Sequence, residues 1–112
     1  MTVPRVFIPQ IAERYDKEKQ AMVPAFDFSA AAQYGQLTPI LESDDDPLFL
    51  ARVTFQIRKA LEDFNDSDFL VAVGDPAVIA VCAGIVLRRQ KTMKLLKWDR
   101  KTRSYHNLEI KP

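Results

Sequence analysis

The sequence predicts one α+β or α/β domain over residues 1–112: a mixed sheet of five or six strands with two main helices, in the order β-β-β-α-β-α-β-β. Three observations carry this. Asp68-Phe-Leu-Val-Ala-Val73 is an apolar run of strand length, ended by Gly74-Asp75-Pro76. The stretch that follows, residues 77–87, has no polar face, as a buried helix requires. Residues 93–98 and 104–110 flank the polar turn 99–103 as the two arms of a hairpin. Strand, crossover helix and strand in succession put parallel pairing at the centre of the sheet, with right-handed crossovers.

The elements follow in order. Val6, Phe7 and Ile8 open the fold as a strand. Residues 12–19 carry six charges and read as a solvated, hairpin-type connection. Residues 23–28 alternate as a second strand, with Pro24 at its start or on an edge. Ser29 begins a capped helical turn that Gly35 ends. Residues 36–41 form a third strand, which Pro39 assigns to a sheet edge. Ser43-Asp-Asp-Asp-Pro47 is a helix start: an aspartate cap, proline at the first helical position, and acids that suit the helix dipole. The helix is expected over residues 47–64, burying Leu50, Val53, Ile57, Leu61 and Phe64. Residues 53–57 also alternate as a strand would, but the cap and the length of the stripe favour the helix.

Composition sets further bounds. With 47% hydrophobic and 28% charged residues, 112 residues suffice for a core without covalent staples. The single cysteine, Cys82, excludes an internal disulfide framework and a cysteine-rich zinc site. The first residues, Met1 to Val6, lack the charged start and apolar run of a signal peptide, so a cytoplasmic location is expected. Residues 69–87 approach the length of a membrane span, but Pro76 interrupts them and no membrane partner is expected. Charge is unevenly laid out. Residues 42–68 hold eight acids and three bases, a net −5, whereas residues 88–112 hold nine bases and two acids, a net +7. Such asymmetry suits a nucleic-acid face, an acidic protein partner or a self-complementary interface.

Two places invite a ligand. Gly74, Asp75 and Pro76 sit where a parallel strand meets a helix N-terminus, the usual binding edge of open α/β sheets and a place for an anionic ligand or nucleotide. The same three residues also suit plain helix capping, with Asp75 as cap and Pro76 as first residue. The hairpin sets Lys94, Lys97, Arg100, Lys101 and Arg103 around Trp98, Tyr105 and His106, a mixture of charge and stacking surface found in single-strand binders. Against this, Leu96 and Trp98 share one face of their strand, which predicts Trp98 as a core anchor. Asp44, Asp45 and Asp46 lack a calcium-loop pattern and read as capping and loop residues. Cys82 falls inside the apolar helix, where a thiol stays protonated and inert, so a pair with His106, the only histidine, is not expected. No catalytic set, metal site or cofactor is expected.

Several segments run through most of the chain: Val6-Phe-Ile-Pro-Gln10, Val23-Pro-Ala-Phe-Asp-Phe-Ser29, Gln33-Tyr-Gly35, Val73-Gly-Asp-Pro76 and Leu96-Lys-Trp-Asp-Arg100, with Tyr105 beyond. In these the chain resembles a group of small proteins encoded by tailed bacteriophages. The resemblance implies phage origin and carries no activity with it. The expectation is a non-enzymatic accessory protein that works by contact with a host or phage protein. A helix apolar all round must be covered by its own chain or by a second copy, so a homodimer is also expected. Nucleic-acid binding through the hairpin is the alternative.

Overall fold

The computed structural model describes residues 3–11, 13–24, 27–42, 45–46 and 48–112. Its main sheet has five strands: β1 (Arg5–Gln10), β4 (Gln36–Leu41), β5 (Phe69–Val71), β6 (Met93–Asp99) and β7 (Ser104–Ile110), in the spatial order β4-β1-β5-β6-β7. The β4–β1, β1–β5 and β5–β6 pairs are parallel and β6–β7 is antiparallel, which is the expected mixed sheet with a parallel centre. Central position explains the apolar runs. Val6, Phe7, Ile8, Phe69, Leu70 and Val71 are all buried because both faces of β1 and β5 are covered. Pro39 lies in β4, at the edge, where its missing amide costs no ladder bond.

The polar connection after β1 is itself structured. β2 (Glu13–Asp16) and β3 (Ala21–Pro24) pair antiparallel as a separate ribbon. Of the second strand expected over residues 23–28, Val23 and Pro24 lie in this ribbon, outside the main sheet, Asp27 and Phe28 are not strand, and residues 25 and 26 fall outside the described residues. Both hairpins turn by one device. In the β2–β3 turn Asp16 accepts from the Glu18 amide at 2.9 Å and Gln20 sits at φ 51°. In the β6–β7 turn Asp99 accepts from the Lys101 amide at 2.9 Å and Arg103 sits at φ 52°.

Two helices, α1 (Leu50–Ala60) and α2 (Pro76–Arg89), pack on one face of the sheet through Val53, Ile57, Val78, Cys82 and Val86 against Phe7, Leu70 and Met93. The 3-10 helix Ser29–Tyr34 covers the other face, where Phe28 and Ala31 meet Val6, Ile8, Phe69, Val71, Leu96 and Tyr105. This turn starts where Asp27 accepts from the Ser29 amide at 2.9 Å. Gly35 ends it as expected, and for a tight reason: a Cβ there would lie 2.4 Å from the Pro4 carbonyl oxygen, which accepts from the Gln36 amide and starts the β1–β4 pairing.

Helix α1 is shorter than the expected 47–64. It has no side-chain cap, and Phe49 occupies the cap position. Asp45 and Asp46 instead close local turns, accepting from the amides of Glu42 (2.8 Å) and Leu48 (2.9 Å). The capping expected of Ser43, Asp44 and Pro47 falls outside the described residues. At its far end the helix stops because Leu61 and Phe64 reach the core from a turn, and the Arg89 guanidinium donates to the carbonyls of Leu61 and Glu62. Leu50, expected inside, is 42% exposed. For α2 the start is as expected: Asp75 accepts from the Ala77 amide at 2.8 Å and Pro76 is the first helical residue. Burial of α2 is one-sided, however. Ala77, Ala80 and Gly84 remain exposed. Among the described residues no helix is long and apolar enough to cross a membrane.

Candidate functional site

The topology opens the sheet at one end. β1 leads to the 3-10 helix on one face and β5 leads to α2 on the other, so the connections diverge at the carboxyl ends of two neighbouring strands. Ligands of open α/β sheets bind at such a divergence. Beyond β5 the chain stays bound to its neighbour, with the Ala72 amide donating to the Leu96 carbonyl at 2.9 Å, and then turns tightly as the Val73 amide donates to the Val71 carbonyl. Gly74 completes the turn at φ 100°, a conformation that favours glycine.

On the 3-10 side of this end lies a cleft of about 730 Å³. The floor comes from the end of β5, one wall from the start of the 3-10 helix and the opposite wall from the hairpin. Its apolar surface is Phe28, Val71, Val73, Trp98 and Tyr105, and its polar groups include Asp27, Ser29 and Arg100; Lys97 borders it along β6, where alternation turns the side chain to the other face of the sheet. Trp98 meets Tyr105 edge-on, with ring centroids 5.0 Å apart and planes at 66°. Leu96, on the same face of β6, is buried as expected, but Trp98 is 41% exposed. The core-anchor expectation is thus corrected. Trp98 stands next to the last residue of β6, where the 3-10 helix no longer covers the sheet. Tyr105 is held in place by the Tyr34 hydroxyl, which donates to its carbonyl at 3.2 Å. Burial, and next the charge of Asp27, raises the Tyr105 phenol above its usual pKa, so it is a neutral wall of the cleft. The Asp27 carboxyl is held below its usual range, first by the Ser29 amide and then by the Ser29 hydroxyl.

The two expected ligand places therefore converge in part. Gly74 from one and Trp98 and Arg100 from the other line the same cleft. Asp75 and Pro76 are occupied in starting α2, and Asp75 already accepts from the Ala77 amide that an anion would need. Lys94 lies over the Phe69 ring at 4.8 Å. Lys101 and Arg103 belong to the exposed turn and do not line the cleft.

Other candidates resolve structurally. Cys82 is fully buried and its thiol is pushed up to about 12 by burial. His106 is exposed and engages Asp99 at 3.2 Å and Thr102 at 3.3 Å. The Asp99 carboxyl is held below its usual range, first by the Lys101 amide and, more weakly, by Thr102 and His106. Among the described residues no three His, Cys, Asp or Glu side chains form a group that could hold a metal ion, and Asp44 lies outside the described residues. Sequence reasoning missed a buried clamp. Asp68, 1% exposed, accepts from the Arg5 amide (2.9 Å), the Arg5 guanidinium (2.9 Å) and the Asn65 amide (3.0 Å), while Arg5 also reaches Asp63 at 3.0 Å. An acid directly before a wholly apolar strand was its signal.

Comparison with known proteins adds one relation. The sequence model of the phage Pam3 gp32-like protein family matches residues 4–112. No curated protein and no solved structure matches the chain.

Proposed function

The chain belongs to the phage Pam3 gp32-like protein family, and on that premise we propose that it is a non-enzymatic accessory protein that acts through protein contacts as a homodimer, in the cytoplasm of the infected cell. One observation carries this reading: the solvent side of the helical layer leaves apolar residues exposed among its charges. Ala77, Ala80 and Gly84 of α2 are exposed, as are Ala51 and Phe55 of α1, the last at 67%. Leu48 and Phe49, just before α1, are exposed at 90% and 67%. Side chains as large as Leu48, Phe49 and Phe55 at such exposure suit contact with another surface.

The small residues support a second copy as the occupant, because they let two helices approach closely. Arg58, Glu62 and Arg88 border the groove between α1 and α2. A two-fold interface presents each patch to itself, so a mixed-sign border can satisfy its own charges across the axis. The rest of the dimer surface then remains for the host or phage protein on which it acts.

Sedimentation equilibrium at micromolar concentration tests this. The wild-type chain should sediment as a dimer, and Phe55→Lys combined with Ala80→Lys should sediment as a folded monomer. A wild-type chain that stays monomeric at hundreds of micromolar would exclude the reading.

A further inference from the structure

We propose that the cleft between the 3-10 helix and the β6–β7 hairpin binds a nucleotide unit, with the base against Trp98 and the phosphate on Arg100. The inference is independent of the dimer, which uses the other face of the sheet. Four features converge. The cleft, about 730 Å³, falls within the ~300–1,000 Å³ typical of small-molecule sites. It lies at the carboxyl end of parallel strands, where connections leave on opposite faces. Trp98 is 41% exposed although Tyr105 supports its edge, so indole surface is available for stacking. Arg100 lines the same space and belongs to the segment of residues 88–112, whose net charge is +7.

Each feature selects part of the ligand. An apolar molecule alone would leave the Arg100 cation facing it unpaired, whereas inorganic phosphate would leave Phe28, Val71 and Trp98 unused. A flat heteroaromatic ring joined to a phosphate uses both. Gly74, which has no side chain, leaves the floor open to the ligand. Asp27 and Ser29, on the opposite wall, supply an acceptor and a hydroxyl for the polar edge of a base or sugar.

The same unit occurs as a free nucleotide and within a single strand. Trp98 is the only tryptophan of the chain, so its emission reports the cleft directly. The full chain would be titrated with adenosine monophosphate, with an eight-nucleotide single strand of deoxyadenosine, and with inorganic phosphate. Saturable quenching by the mononucleotide supports a free nucleotide as ligand. Quenching by the strand alone, weakening steeply with salt, supports a nucleotide held within a strand. In either case Arg100→Ala should weaken binding about ten-fold, the effect of losing one charge-assisted contact. Lys101→Ala, in the exposed turn, should change it less than two-fold. Circular dichroism checks that each variant is folded. Absence of quenching by both ligands at millimolar concentration overturns the proposal, as does quenching by phosphate alone or equal loss in the Arg100 and Lys101 variants.

Discussion

At the scale of residues, the most consequential side chain for the fold lies outside the cleft. Asp68 is a buried carboxylate whose three donors fix the start of β1 to the segment before β5. Removing one member of a buried pair leaves the other uncompensated, so Asp68→Ala should destabilise by about 3–5 kcal/mol in urea melts. Asp63→Ala, which removes only an exposed partner of Arg5, should cost under about 1 kcal/mol. Cys82 gives a pH test. Its folded pKa is raised from 9.0 to about 12, so the folded state keeps the thiol protonated while the unfolded chain ionises. The resulting stability is complete below pH 9 and is lost progressively as pH rises towards 12. The difference in stability between wild type and Cys82→Ala should therefore shrink over that interval. Trp98→Ala should cost less than the ~3–5 kcal/mol of a fully buried aromatic, because the indole is already partly in water.

At the scale of elements, legibility in the sequence followed how local the cause was. Asp75 and Pro76 start α2 through contacts within three residues, and Gly74 turns through its own φ. These could be read directly. Asp75→Ala should accordingly cost on the order of 1 kcal/mol. The ends of α1 could not be read, because they depend on partners distant in sequence. Arg89 occupies the carbonyls that end it, and Leu61 and Phe64 bury themselves from a turn that extends the helical spacing without the helix. β2 was hidden for another reason: its residues are half-buried or exposed, so no apolar alternation marks it. The hairpin turns yield one more test. Gln20 and Arg103 hold the left-handed conformation at a steric cost that glycine avoids. Arg103→Gly should leave the fold intact and raise stability by up to about 1 kcal/mol. Gly35→Ala should do the reverse, since its Cβ would collide with the Pro4 carbonyl and part β1 from β4.

At the scale of the whole molecule, the sheet divides the protein into two faces. One carries the helical layer, whose inner side completes the core and whose outer side leaves Phe55, Ala77, Ala80 and Gly84 exposed. The other carries the 3-10 helix and the cleft. The sequence announced the uneven helix through its lack of a polar face, but not that its own chain would cover one side only. It likewise named Gly74 and the basic hairpin separately. Their meeting in one cleft depends on β5 and β6 being neighbours, a tertiary fact. The claim that organises the whole is that the outer helical surface is a contact surface. Hydrogen exchange, followed by mass spectrometry on dilute and concentrated protein, tests both the association and its place. The account predicts added protection at high concentration in peptides covering Leu50–Ala60 and Pro76–Arg89, with the β6–β7 hairpin unchanged. Exchange independent of concentration, or protection confined to the hairpin, would contradict it.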